Sequence, residues 1–327
     1  MPPTCDAPAQ ASAPQTPHLL PPTAFGIVLG LAALGRAWRL AADTWHVPPL
    51  IGEGLLTAAA LAWVVLVVPY LMQWRHHDDS TLPHALKDGG HALPAIATLQ
   101  LVPALLPHSL FAAWVLGLLG IGWQLAFALW HTGRLWRGGH PGHDATPALY
   151  LPTVAGNFTS GATLGMLGQP DFGWLLVGAG LFSWLSLESL VVRRLWKPGG
   201  LPPAQRAQLG IQFAPPMVCG AACIALAPHA DQPWLPLLWG YGLFQLLLGL
   251  RMAGWLGASR FDARFAWAYS FGIGCAAICA VRLAETGNHA AHVLALPVFI
   301  AANAVIGWLG LRTLFQWARP APGVAAT

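Results

Sequence analysis

Charge is what this sequence has least of. Of its 327 residues only 9% are Asp, Glu, Lys or Arg, while 56% are hydrophobic. A water-soluble domain carries about 25% charged residues, so this chain cannot cover a globule with charge, and lipid must replace water around much of its surface. Lysine is nearly missing: Lys87 and Lys197 stand beside fourteen arginines. The basic residues sit in short clusters between apolar stretches, not in a patch or stripe, which excludes a nucleic-acid partner. No Lys or Arg occurs in 1–22, a stretch rich in Pro, Ala, Gln and Thr. A signal peptide needs a basic start and an apolar core, so this segment is expected to be a disordered cytoplasmic tail.

Cysteine is also scarce. Cys5 lies in the tail, and Cys219, Cys223, Cys275 and Cys279 lie in apolar runs. They give no disulfide framework, and the two i, i+4 pairs read as small residues at helix contacts. No complete metal motif is present. His140-x-x-His143 is half a site without a third or fourth ligand, and there is no His-Glu-x-x-His. His76, His77, His84, His91, His289 and His292 fall in links or at span ends and read as surface imidazoles. No cofactor or metal is expected, and an enzyme is disfavoured. Asn157-Phe158-Thr159 matches a glycosylation sequon inside an apolar run, where no glycan is expected.

Long apolar runs are what the chain does have. A bilayer core takes about 20 helical residues, and runs of that length fall near 24–41, 50–74, 91–107, 110–133, 149–168, 172–194, 208–229, 233–256, 264–284 and 289–315. The expected fold is an all-α integral membrane protein of about ten transmembrane helices. Residues 1–22 form a tail, 23–317 the membrane domain and 318–327 a second cytoplasmic tail. The links at 106–109 and 168–171 are short enough for tight helical hairpins. Thirteen basic residues fall on one side: Arg75, Lys87, Arg134, Arg137, Arg193, Arg194, Lys197, Arg206, Arg251, Arg260, Arg264, Arg312 and Arg319. Arg36, Arg39 and Arg282 fall on the other, so both termini are expected to be cytoplasmic. Trp45, Trp74, Trp130, Trp136, Trp174, Trp196, Trp234 and Trp255 cluster at span ends, as interfacial anchors do.

Odd and even spans differ. Between their flanking charges the odd spans contain no Asp, Glu, Lys or Arg, and helix breakers interrupt their cytoplasmic halves: Pro22 and Gly26, Pro94, Pro152 and Gly156, Pro215 and Pro216, and Gly272. Proline frees carbonyls that lipid cannot satisfy, so such breaks belong where protein or a wet cavity surrounds them. The pattern predicts an inner ring of odd helices surrounded by even ones, built from five hairpins. The intramembrane acids, Glu53 and Glu188, lie on even spans near an end. Glu188 is expected to pair with Arg193 or Arg194 or to hydrogen-bond at the inner interface, near a contact between protomers.

The stretches PTAFGIVLGLAALGRAWR (22–39), YLPTVAGNFTSGATLGMLG (150–168), LGIQFAPPMVC (209–219), LLWGYGLFQLLLGLR (237–251) and WAYSFGIG (267–274) resemble the tellurite-resistance/dicarboxylate transporter family, the TehA-type proteins related to plant guard-cell slow anion channels. The resemblance implies five hairpins around a central pore, a homotrimer with one pore per protomer, and a phenylalanine of the ninth helix blocking the pore, a position held here by Phe271. Gly272 follows it, as in bacterial members, where plant relatives have proline, so regulation by phosphorylation is not carried over. The expected place is the bacterial inner membrane.

With the family in view, the uncharged odd spans point to a passive anion channel, since ion coupling needs titratable groups in the membrane. Freed backbone N–H groups and the basic cytoplasmic rim would favour small inorganic or organic anions. The pore-lining candidates are Gly26, Pro94, Thr98, Pro152, Asn157, Pro215, Ser270 and Gly272, with Thr153 and Thr159 beside them. Each polar one could equally cap a break or bond a neighbouring helix. The alternatives are a proton-coupled transporter of C4-dicarboxylates or of tellurite- or sulfite-type oxyanions, and a membrane enzyme with a His-bound metal.

Overall fold

The computed structural model describes residues 20–74, 89–138, 145–197, 201–228, 232–257 and 266–318, and among these residues there is no strand. The principal helices are α1 (Gly26–Trp45), α2 (Pro49–Trp74), α3 (Leu93–Gln100), α4 (Leu110–Trp136), α5 (Gly156–Met166), α6 (Pro170–Leu195), α7 (Pro215–Leu226), α8 (Trp234–Arg251), α9 (Ser270–Glu285) and α10 (His289–Ala318). Seven helical stretches are long and apolar enough to cross a membrane: those containing α1, α2, α4, α6, α7, α9 and α10. The other three expected spans are helical but fall short for identifiable reasons. Around α3 the chain is divided into a 3₁₀ turn at Gly89–Ala92, the eight-residue helix and a short turn at Val102–Leu105. A π turn at Leu151–Ala155 precedes α5, leaving it 11 residues. The helix α8 has 18 residues and ends on Arg251.

Proline placement explains these interruptions. Each odd helix begins with a 3₁₀ turn, at Pro22–Phe25, Gly89–Ala92, Pro147–Leu149, Pro203–Gln208 and Trp267–Tyr269. Pro22, Pro94, Pro147, Pro152, Pro203 and Pro215 occupy first or second positions of helical pieces, where a missing N–H costs no intrahelical bond. The breakers thus sit at the same end of every odd helix. Pro22 already lies in the first turn, and Leu20 N–H donates to Gln73 Oε1 at 3.0 Å. Residues 1–19 and 319–327 of the expected tails lie outside the described residues, as do Arg75, Lys87, Arg260, Arg264 and Arg319 of the charge count.

Burial separates two layers. In the stretches holding α1, α7 and α9, 61%, 89% and 78% of the apolar window is buried, against 28%, 33%, 22% and 28% for α2, α4, α6 and α10. All of α3 and residues 156–163 of α5 are buried as well. Each odd helix packs on the even helix that follows it, which gives five hairpins. The odd helices also pack on one another in a closed sequence, α1 on α3, α3 on α5, α5 on α7, α7 on α9 and α9 back on α1. Small residues let these backbones approach. A Cβ on Gly274 would stand 2.6 Å from that of Ala33, and one on Gly30 would collide with Ser270.

Polar side chains tie the layers together. Trp63 Nε1 of α2 donates to Thr98 of α3 (3.0 Å), Gln124 of α4 to the Pro152 carbonyl (2.7 Å), and Trp38 of α1 to Asn303 of α10 (2.8 Å). The tight links behave as expected. Gly168 takes φ +77°, and Gln169 N–H closes onto the Leu164 carbonyl at 2.8 Å, while Ser109 caps α4 by accepting from Ala112 N–H at 3.2 Å. The outer helices present leucine, valine and phenylalanine outward, with Trp136, Trp196 and Trp234 strongly exposed at their ends.

Candidate pore-lining site

The odd helices all run in one direction, so their 3₁₀-turn ends meet on one side of the molecule. There they enclose a cavity of about 110 Å³. Every odd segment contributes: Thr23, Gly26 and Leu29 from the first, Gly90 and Leu93 from the second, and Ala148, Tyr150, Leu151 and Ala155 from the third. Gln208, Ile211, Ala214, Pro215 and Val218 come from the fourth, and Trp267, Ala268 and Phe271 from the fifth. Among the described residues no Asp, Glu, Lys, Arg or His lines it. The volume holds several waters, and Thr23 Oγ1 and Gln208 Oε1 are buried without a partner among the described residues. Helix N-termini face the cavity from α1, α3, α5, α7 and α9, so its electrostatic bias is positive although its lining is neutral.

Three of the expected pore residues, Gly26, Pro215 and Phe271, line this cavity. Phe271 is 6% exposed and stands one residue into α9. Gly272 is seated against α7: a Cβ there would come within 3.0 Å of Ala214 Cα, so glycine lets the broken α7 and α9 touch. The other candidates lie off the cavity wall, where they satisfy the breaks. Thr98 donates to the Pro94 carbonyl at 2.9 Å and accepts from Trp63, so it faces an outer helix. The Pro152 carbonyl is taken by Gln124. Ser270, fully buried, has its hydroxyl 2.7 Å from the Trp267 carbonyl and 3.2 Å from that of Gly26. Thr159 bonds back to the Ala155 carbonyl at 2.8 Å, and Asn157 Nδ2 to that of Thr153 at 2.8 Å, leaving Asn157 Oδ1 buried without a partner.

Of the two arrangements expected for Glu188, an ion pair or hydrogen bonds, the carboxylate adopts the second. It is bound to neither Arg193 nor Arg194. Its carboxylate instead accepts from the Tyr150 hydroxyl (2.7 Å), Gln212 Nε2 (2.9 Å), Trp184 Nε1 (3.0 Å) and the Tyr241 hydroxyl (3.3 Å). Tyr150 lines the cavity, so one carboxylate on α6 anchors part of its wall. Sequence reasoning missed Tyr150 and Gln212 because they stand 38 and 24 residues from Glu188. The available signal was that both are polar residues beside the breaks of odd spans.

The charges expected at the flanks of α1 and α9 lie inside these helices: Arg36, Arg39 and Asp43 in the first, Arg282 and Glu285 in the second. Arg36 was counted as an outer flank, but α1 continues to Trp45, and Arg36 lies within it, half-buried, with Nη1 3.4 Å from Gln100 Oε1 of α3. Arg39 forms a bidentate pair with Glu53 at 2.5 and 2.7 Å and also reaches the Pro103 carbonyl. His91 is no surface imidazole either, since its Nδ1 is 2.9 Å from the Tyr70 hydroxyl. The buried thiols Cys219, Cys223, Cys275 and Cys279 belong to the α7–α9 seam, where Cys279 Sγ is 3.6 Å from the Met217 carbonyl. Among the described residues no group of three His, Cys, Asp or Glu could hold a metal ion. His76, His77, His84, His140 and His143 lie outside the described residues.

Comparison with known proteins adds two findings. Residues 19–314 match the family model described as voltage-dependent anion channel. The chain is also 32% identical over 304 residues to the tellurite resistance protein TehA homolog of Haemophilus influenzae, an alignment covering 92% of each chain.

Proposed function

The chain belongs to the voltage-dependent anion channel family, and on that premise we propose that it is a passive channel for small anions with Phe271 as its gate. The observation that carries this reading is the neutral cavity at the convergent N-terminal ends of the odd helices, with the Phe271 ring in its wall. The odd helices then form the inner ring of a pore, and α3, α5 and α8 complete ten membrane spans in five hairpins. Both termini are cytoplasmic, the membrane is the bacterial inner membrane, and three copies assemble with one pore each. An anion entering the cavity meets helix N-termini, and basic residues such as Arg206 and Arg251 concentrate anions at the mouth. At the phenyl ring it must shed water with no charge to replace it, so the ring holds the path shut until it moves.

Passive flow is favoured over coupled transport because coupling requires a titratable group that meets the substrate, and among the described residues no carboxylate or imidazole lines the cavity. One observation favours a second reading, proton-coupled transport of an oxyanion or C4-dicarboxylate: Glu188 lies just behind the lining, one hydrogen bond from Tyr150. Anion flux into proteoliposomes separates the two. A channel gives flux that follows the anion gradient and is unaffected when a protonophore collapses the pH gradient. A coupled transporter saturates and loses its flux under the protonophore. Chloride, nitrate, malate and tellurite form a suitable series, the last because the Haemophilus relative is named for tellurite resistance.

A further inference from the structure

Three cavity-lining residues share helix faces with residues deeper in the ring. Leu29, Leu93 and Phe271 line the cavity. Seven residues make about two helical turns, so Arg36 stands on the face of Leu29 and Gln100 on the face of Leu93. Cys275 follows Phe271 by one turn on the same face. Arg36 and Gln100 therefore lie about 10 Å beyond the cavity along the ring, and Arg36 Nη1 is 3.4 Å from Gln100 Oε1. The Arg36 charge also lies within electrostatic range of Cys275 and Cys279 on α9.

What this arginine lacks is a counter-charge. Among the described residues no ion pair reaches Arg36: Glu53 is taken by Arg39 and Glu285 by Arg282 at 2.5 Å, while Asp43 of the same helix stands about two turns further on. A guanidinium has five N–H donors, and one long bond to Gln100 is all that Arg36 makes among the described residues. Gln100 is 3% exposed, and its amide N–H groups make no hydrogen bond among the described residues. An isolated cation inside a membrane span is costly, and such residues occur where they meet a partner, an ion path or water. Arg39 shows the alternative three residues on, fully paired with Glu53.

We infer that Arg36 and Gln100 form a binding site for a monovalent inorganic anion, placed in the inner ring beyond the Phe271 cavity. The site deepens the proposed channel function and rests on reading the ring as an anion path. The planar guanidinium supplies charge and paired donors, and the Gln100 amide supplies neutral donors that do not repel a second arriving anion. It is a way station: a single positive charge attracts an anion that has passed Phe271, and the absence of a second fixed charge lets the anion leave. The ring then rejects cations beyond the gate, where the lining would otherwise be indifferent to sign.

Nitrate is the probe. Melting of the detergent-solubilised full chain is followed at constant ionic strength while gluconate is exchanged for nitrate. The wild type should gain thermal stability with a saturable nitrate dependence. Arg36→Gln should weaken the apparent nitrate affinity at least tenfold, and Gln100→Leu should weaken it less while keeping the arginine. In the Phe271→Ala background, Arg36→Gln should also lower the chloride-over-potassium permeability ratio several-fold, read from reversal potentials. Nitrate dependence identical in wild type, Arg36→Gln and Gln100→Leu would overturn the site, whatever the current. If Arg36→Gln does not fold, a measurable weakening of the nitrate affinity in Gln100→Leu supports the site and an unchanged affinity overturns it. Nitrate stabilisation that requires Arg36 in a protein carrying no anion flux would uphold the site and refute the channel reading, so the two fail separately.

Discussion

Removing the Glu188 carboxylate should loosen the wall of the cavity more than any other single change outside it. In Glu188→Ala the Tyr150, Gln212 and Trp184 donors lose their shared acceptor. Their residues are 0%, 5% and 5% exposed, so water cannot readily replace it, whereas Tyr241 is 41% exposed and rehydrates. A stranded buried donor costs about 1–3 kcal/mol, so three of them give a loss of about 3–9 kcal/mol. Glu188→Gln keeps one acceptor oxygen and should lose about 1–2 kcal/mol. Arg193→Ala should be nearly silent, because Arg193 is not among the partners of Glu188. The assay is thermal melting of detergent-solubilised protein by size-exclusion fluorescence, with Tyr150→Phe and its double mutant with Glu188→Gln forming a cycle. The reasoning is refuted if Glu188→Ala melts with the wild type, or if Arg193→Ala melts as low as Glu188→Ala.

Cysteine placed at Asp171, in the first turn of α6, should react with an impermeant maleimide from the periplasm, and cysteine at Lys197 should not; labelling of Lys197→Cys in intact cells would invert the orientation. Light scattering in a mild detergent should give the mass of three chains, and a monomer there would remove the trimer. Gly30→Val places atoms on Ser270 at the α1–α9 seam. Overpacking of this kind costs about 1–3 kcal/mol, so a wild-type melting temperature would contradict the closed ring of odd helices.

The sequence made the layers legible because membrane physics writes them in composition. Proline and glycine recur at one end of each odd span, and the structure puts a 3₁₀ turn at each of these ends. The short links could be read from Gly168 and Ser109, whose backbone and capping chemistry is local. Long-range pairing was not legible. Nothing in the neighbourhood of Glu188 announces Tyr150 or Gln212, while the adjacent arginines offered a false partner. Arg36 was misread because a boundary near residue 41 turns it into a flank, whereas the helix continues until His46 adopts φ +55°. Thr98 and Ser270 were found as polar residues in the ring, but which way each faced depended on carbonyls freed by Pro94 and by the α1 and α9 junctions.

The central claim is that a phenyl ring holds shut an otherwise neutral anion path, and the most direct measurement is the current carried by Phe271→Ala and Phe271→Leu beside the wild type. Truncation to alanine removes the ring from the cavity wall, so a continuous water column can form and anion conductance should rise well above wild type. Leucine still narrows the opening and should give a smaller rise. A side chain fronting a cavity gives up fewer contacts than a core phenylalanine, whose loss costs about 3–5 kcal/mol, so the alanine variant should also express and melt close to the wild type. Recordings in planar bilayers, with protein amount measured alongside, decide it. The account predicts anion currents in the order alanine, leucine, wild type; a well-folded Phe271→Ala protein with wild-type current contradicts it.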